Sequence, residues 1–593
     1  MSKRTKKKTT ITGNGRIDVS EAATRRALTQ CRVRLMCVGL FFVLGFTVVS
    51  LRLVELGLRT YSGEQNVAAD ATESVSAEKL TLDESPAIIL PRRDIVDRNG
   101  QVLATSLATR SLYADPKEIK KPRDIAVKLN RIFPSLSTDW IEKRLTRKGR
   151  FVWIKRNLTP KEQYQANMLG VPGLYFQDEH ARVYPQGKLL AHVLGFVGVD
   201  NQGLAGIEKY FDRDLNVAEP TGDPLQLSID LRLQHLIYDR VEQAIDEFRA
   251  HAGGGLIYDM KNGEVLAYTS QPSFDPHHPG EADKEQRFNR LSLGTYEMGS
   301  TFKTFTTAMA LDSGTTKMDG GYDASKPIRF GGFTIHDTHA KARWLTVPEI
   351  FAYSSNIGTV KMALDVGMER QQDFLTRLNM FQPVGIEIPE RATPKRPNPW
   401  EKINMMTISF GHGVAVTPLH LVSGTAAMLN GGRLERMTLI KDKPGPVFTN
   451  RIIREETSQN MRRLLRTVVQ YGTARFADVP GYKVGGKTGT AEKADVGGYN
   501  RKALIASFIG AFPMDNPRYL VLIMLDEAKG NKNTYGYATA GWVAAPAAGR
   551  LISQMGPMLS LEEDFSEKPD SIDRYWAEMK IREERARVHA AGY

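Results

Sequence analysis

From Leu225 onward the chain puts its strand-like stretches at both ends of a long helical block, and this order leaves few folds open. Leu225–Asp230 reads as a strand, and Gly255–Asp259 and Glu264–Thr269 flank an Asn262-Gly263 turn, the signal of a hairpin. Helical segments run from Ser300 to about Gln470. Strand patterns return at Tyr482–Ala491, Leu504–Phe512 and Tyr519–Asp526, the last two joined by Met514–Arg518. Two terminal strand groups with helices between them predict a mixed α/β domain over 225–560, an antiparallel sheet covered by helices.

The helical block opens on Met298-Gly299-Ser300-Thr301-Phe302-Lys303. Phe302, Phe305, Ala308, Met309 and Leu311 follow at helical spacing, and Ser313-Gly314 supplies a stop. On such a helix Ser300 and Lys303 lie one turn apart on the same face. A serine hydroxyl is a weak nucleophile and needs a base beside it. Lysine is that base only when neutral, which asks for burial and neighbouring positive charge worth roughly 4–5 kcal/mol. The helix N-terminus also favours negative charge developing at Ser300. Ser76-Ala-Glu-Lys79 has the same spacing but no apolar frame, and reads as coincidence.

Two further motifs accompany Ser300. Ser354-Ser355-Asn356 lies downstream, and Gly485-Gly486-Lys487-Thr488-Gly489-Thr490 holds the chain's one Lys-Thr-Gly. Ser-x-x-Lys, Ser-x-Asn and Lys-Thr-Gly, in that order, are the set shared by penicillin-binding proteins and class A β-lactamases.

With 593 residues, two or more domains are expected. The net charge of +13 is uneven: residues 1–34 hold ten Lys/Arg against two Asp/Glu, so the basic character belongs largely to this tail. No nucleic-acid surface is implied. The tail has little hydrophobic pattern and reads as disordered. Leu35–Leu51 is an uncharged run of 17 residues between Arg34 and Arg52, about 25 Å long as a helix and able to cross a membrane. No small-residue cleavage site follows it, so an uncleaved anchor over 35–54 is expected, with the basic tail (1–34) inside and the rest outside. Cys31 and Cys37 sit at or within this run, so the domains beyond it fold without disulfides. The eleven histidines show no zinc-type spacing, and His336, Asp337 and His339 read as loop residues because they do not supply three ligands at metal spacing. No metal or cofactor is expected.

A polar stalk (55–87) precedes an α+β region at 88–224. There Ile95–Leu103 reads as strand–turn–strand about Asn99-Gly100, and Thr159-Pro160-Lys161-Glu162 as a capping box. No catalytic or metal constellation stands out in it, so it reads as a platform. Residues 561–593 are highly charged and read as a solvated tail, helical or disordered.

The chain resembles the class B penicillin-binding proteins from about residue 88 to 555. Beyond the three site motifs, the resemblance rests on Asp97-Arg-Asn-Gly100, Arg182-Val-Tyr-Pro185, Gly206-Ile-Glu208 and Gly411–Pro418. It implies a single membrane anchor, a pedestal of the dimerisation type, and a transpeptidase domain with the serine β-lactamase-like fold. Ser354-Ser355-Asn356, where elongation-type enzymes usually carry Ser-Cys-Asp, and Glu297–Lys303 look septal (FtsI type). Met298, Arg93 and His412 depart from the usual pattern, but none removes a reacting group.

The resemblance also implies roles. Ser300 attacks the carbonyl between two D-alanines of a peptidoglycan stem peptide, and Lys303 takes its proton. Ser354 relays a proton to the leaving group, tuned by Lys487. Asn356 holds the substrate amide and orients Lys303. Thr488, Gly489 and Thr490 receive the donor carboxylate, with the Ser300 and Thr490 N–H groups as oxyanion hole. Implied partners are stem peptides on lipid-linked nascent glycan strands, β-lactams, a membrane glycosyltransferase of the FtsW type and other divisome proteins. The implied location is the inner membrane at the division septum, with the catalytic domain periplasmic. An elongation-type transpeptidase and a membrane β-lactam sensor are the alternatives. A β-lactamase needs a deacylating base, and no Glu-x-x-Leu-Asn motif is present.

Overall fold

A computed structural model describes residues 91–216, 223–442, 451–495 and 498–566, with Met36, Thr47, Ser50 and Trp576. The chain divides into Met1–Thr81 and Leu82–Tyr593. In the first unit only Met36, Thr47 and Ser50 are described, each helical and exposed. The expected basic tail, the stalk and the rest of the anchor lie outside the described residues. Among those described, no helix is long and apolar enough to cross a membrane.

The second unit begins with a five-stranded sheet organised on Val102–Ala114. Asn99-Gly100 turns the chain as expected, and Ile95–Val96 pairs antiparallel with Val102–Ala114. Gly100 takes φ 84°, open to glycine at no steric cost. Val152–Leu158 and Leu174–Val183 add antiparallel, and Leu225–Gln226 adds parallel to Ile95–Val96. Thr159 and Glu162 form the expected capping box. A separate core of Leu112, Ile125, Leu129, Phe133, Ile141 and Val152 sits here.

Two pedestal motifs meet in one buried ion network. Glu208 accepts from Arg182 Nε at 2.7 Å and from Arg92 Nε at 2.9 Å, and all three side chains are closed to water. Such a network is costly to break at one member, because a buried charge is left unpaired. Asp97 does a different job. One carboxylate oxygen accepts from the N–H groups of Asn99 and Gln101, and the other from Leu231 N. The Asn-Gly turn is thereby tied to the start of helix α1 (Leu231–Glu247).

This helix corrects one expectation. The strand predicted over Leu225–Asp230 ends at Gln226, and Asp230 is the N-cap of α1, accepting from Arg232 N. A capping carboxylate outweighs the apolar run before it.

The remaining elements that carry the site are strands β1 (Ala252–Asp259) and β2 (Glu264–Gln271), then helices α2 (Lys303–Asp312), α3 (Val347–Ala352), α4 (Asn356–Val366) and α5 (Glu455–Tyr471), then strands β3 (Gly485–Asp495), β4 (Gly498–Phe512) and β5 (Tyr519–Asp526), and last helix α6 (Ala544–Met558). The five strands form one antiparallel sheet in the order β3-β4-β5-β1-β2, so both ends of the domain do meet in one sheet. Every residue of β1, β2 and β5 is buried, which requires cover on both faces. The Gly253–Gly255 run shows how the cover fits: a Cβ at Gly253 would lie 2.9 Å from Val241 of α1, and one at Gly255 2.8 Å from Ile237. Helix α6 packs on α1 and β5, and α2 packs among α4, α5 and Pro418–Leu429. Strand β3 lies at the sheet edge.

One described residue of the tail departs from the solvated segment expected. Asp564 N donates to Gly481 O at 2.8 Å, the Asp564 carboxylate meets Lys483, and Trp576 is 3% exposed. Residues 562–566 are exposed, as the charged composition predicts, and Trp576 alone among the described tail residues is buried.

Candidate active site

The helix expected to include Ser300 starts three residues later. Gly299–Phe302 is a single 3-10 turn, and α2 begins at Lys303. In a 3-10 turn residues i and i+3 eclipse, so half-buried Ser300 and buried Lys303 still share a face. Close backbone approach seats this turn. Gly299, at φ 52°, donates to Gly411 O at 3.2 Å, and a Cβ on it would sit 2.6 Å from Thr490 O. A Cβ on Gly411 would lie 2.1 Å from Gly299 O, and one on Gly489 2.5 Å from Met298 O. The serine turn therefore rests directly on β3 at Gly489–Thr490, along the edge that no other strand among the described residues pairs.

Ser354 follows the end of α3 and takes φ 58°, a left-handed conformation that costs serine roughly 1–3 kcal/mol and persists only where neighbours impose it. The Lys303 side-chain nitrogen lies 2.5 Å from Ser354 O and 3.0 Å from Ser354 Oγ. Lys487 Nζ reaches the same Oγ at 3.1 Å and its neighbour's carbonyl, Thr488 O, also at 3.1 Å. One serine hydroxyl thus lies between two lysines that are almost wholly buried.

Burial is the main cause of both pKa shifts. It pushes Lys487 down to about 7. Burial together with the Lys487 charge holds Lys303 well below the ordinary lysine range, while the Asp337 charge acts the other way. Two ammonium groups sharing one hydroxyl in a dry site repel each other, so the first proton leaves easily.

The structure brings Ser300, Lys303, Ser354, Lys487 and the Thr488–Thr490 strand together. Thr488 Oγ1 pairs with Thr473 Oγ1 at 2.7 Å, and Thr490 Oγ1 accepts from Ala540 N at 3.0 Å. Both hydroxyls are thus oriented by the protein. Asn356 differs from the expectation that it orients Lys303. As the first residue of α4 its Nδ2 donates to His336 O at 2.8 Å, and the carbonyl and hydroxyl of Ser354 receive Lys303 instead.

Asp337 does more than the loop role its sequence context suggests. Its carboxylate accepts from Ser355 Oγ at 2.7 Å and from Ile357 N at 2.9 Å, while Ser355 Oγ caps α4 by accepting from Gly358 N. Asp337 thereby pins the loop that presents Ser354. Thr473, which meets the Thr488 hydroxyl, is a second position that sequence reasoning misses. Both act across long sequence separations, and no local pattern marks them. Among the described residues no cluster suited to a metal ion is present.

Comparison with known proteins agrees with this geometry. The family description "Penicillin binding protein transpeptidase domain" matches residues 253–551, and "Penicillin-binding Protein dimerisation domain" matches residues 88–218. The chain is similar to the probable peptidoglycan D,D-transpeptidase FtsI of Caulobacter vibrioides, 38% identical over 91% of each chain. It is 29% identical to peptidoglycan D,D-transpeptidase FtsI of Escherichia coli K12, over 79% of this chain and 84% of that one. The crystal structure of penicillin-binding protein 3 from Mycobacterium tuberculosis, complexed with aztreonam, superposes with a TM-score of 0.63 at 25% identity, covering 80% of this chain and 98% of that one. A dimerisation domain followed by a transpeptidase domain, with relatives alike over nine-tenths of its length, identifies the chain as a member of the class B penicillin-binding proteins.

Proposed function

We propose that this protein is a septal peptidoglycan D,D-transpeptidase that cross-links stem peptides through an acyl-enzyme on Ser300. The observation that carries this reading is the chain of polar groups Lys303–Ser354–Lys487 beside the Ser300 turn, all set against the edge of β3. A neutral Lys303 directs N–H bonds to Ser354 O and Oγ, which leaves its lone pair for the Ser300 proton. Ser300 then attacks the D-Ala-D-Ala carbonyl. The developing oxyanion faces the backbone N–H groups of Ser300 and Thr490, a contribution of about 3–4 kcal/mol per donor in such sites. Ser354, between the two lysines, passes a proton to the departing D-alanine. Thr488, Gly489 and Thr490 receive the donor carboxylate, and Asn356 the substrate amide. The open edge of β3 suits an extended peptide laid alongside it. An amine from a neighbouring stem takes the acyl group and forms the cross-link. The steps use protein groups throughout and call for no cofactor. A β-lactam presents the same carbonyl and carboxylate, and acylates Ser300 without being released.

In this reading residues 1–34 lie in the cytoplasm, 35–54 anchor the chain in the inner membrane, and 55–87 form a stalk. The pedestal (88–224) and transpeptidase domain (225–560) then face the periplasm. The anchor and pedestal are suited to pairing with a membrane glycosyltransferase of the FtsW type and with other divisome proteins. The names of the FtsI relatives support the septal assignment.

Depletion in a growing cell tests the septal role. Filaments with incomplete septa are expected. Swollen, rounded cells with normal constrictions would assign the enzyme to side-wall growth instead.

A further inference from the structure

The matched transpeptidase family ends at residue 551, yet a side chain beyond it packs against residues that adjoin the site. Trp576 stacks on Tyr471, centroids 5.2 Å apart and planes at 13°, and meets Tyr353 edge-on at 5.5 Å and 86°. It is 3% exposed and shares its cluster with buried Ala352. Both partners lead straight into the site. Tyr353 immediately precedes Ser354, the residue held at φ 58° between the two lysines. Tyr471 ends α5, and two residues later Thr473 holds the Thr488 hydroxyl. The two segments already touch: a Cβ on Gly472 would lie 2.4 Å from Ala352 O. Lys341 lies over the Tyr353 ring, 4.3 Å from its centroid.

We propose that Trp576 clamps the site in cis, locking the Tyr353–Ser354 wall to the Tyr471–Thr473 wall, so that this one side chain sets the acylation rate. The slot between Tyr353 and Tyr471 is thus a binding site for one indole ring, and its occupant is this chain's own Trp576. Trp576 is a positioning residue: it orders the proton relay at Ser354 and the carboxylate site at Thr488 without touching substrate. This rests on Ser354 and Thr488 acting as proposed above.

The test uses the detergent-solubilised full chain. Second-order acylation by a fluorescent penicillin is measured for the wild type, Trp576→Ala and Trp576→Phe, alongside each protein's melting temperature. Removing both the stacked and the edge-on ring pair at a positioning residue predicts about a three- to tenfold slower acylation for Trp576→Ala. Trp576→Phe, which keeps a ring in the slot, stays close to wild type, and all three proteins remain folded at the assay temperature. Equal rates in all three overturn the clamp. So does a loss in Trp576→Ala that only tracks its unfolded fraction, or an equal loss in Trp576→Phe. Ser300→Ala, run in parallel, separates the two readings: if it fails to label while Trp576→Ala labels normally, the clamp falls and the transpeptidase reading stands.

Discussion

Ser300→Ala should lose all detectable covalent labelling by a fluorescent penicillin and keep the wild-type melting temperature. The substitution removes one half-buried hydroxyl and nothing that packs the turn. The turn is held by Gly299 against Gly411 and Thr490, and by Thr301, whose hydroxyl donates to Met298 O at 2.8 Å. Fold and reactivity are therefore separable at this residue. The other groups of the site remain in place, but without a nucleophile no covalent acyl-enzyme forms. Gel fluorescence after incubation with the probe reads the result. Labelling at the wild-type rate would place the nucleophile elsewhere.

Lys303→Arg should cost nearly as much, roughly 10²–10⁴-fold in acylation rate, the range for loss of a general base. Arginine keeps the charge but does not deprotonate in proteins. It also brings a wider head into a position that is 1% exposed. The pH profile distinguishes lost basicity from altered shape. In the wild type, burial and the Lys487 charge hold Lys303 well below the ordinary lysine range. Acylation should therefore rise with pH as Lys303 gives up its proton, and level off once it is neutral. In Lys303→Arg that ascending limb should vanish from the residual rate. A variant with near-normal acylation and an unchanged limb would reject Lys303 as the base.

The elements legible in the sequence are those written locally. Asn99-Gly100 and Asn262-Gly263 are turns whose residues tolerate the backbone they need, and both join antiparallel strands. The apolar run in Tyr519–Asp526 marks a fully buried strand within its observed bounds. Ser300, Lys303, Ser354 and Lys487 are recognisable because acyl transfer restricts which side chains stand at fixed spacing. Other features depend on contacts between distant residues or on competition between local signals. Asp230 resembles the end of a strand because its capping bond to Arg232 competes with the apolar run before it. Asp337 resembles one member of a failed metal cluster, since its partners Ser355 and Ile357 come from the start of a later helix. Asn356 is expected to orient Lys303, but in the first turn of α4 its Nδ2 donates to His336 O. Trp576 lies in a strongly charged stretch, and the rings it meets among the described residues stand at the juxtaposed ends of α3 and α5, distant in sequence.

The proposed reaction runs through an acyl-enzyme on Ser300. Its most direct test is to incubate the protein with a penicillin, digest it, and locate the added mass by tandem mass spectrometry. One acyl group per chain is expected, on the peptide containing Met298–Lys303, with fragment ions placing it on Ser300. An adduct on any other residue, or none in protein that is folded, would contradict it.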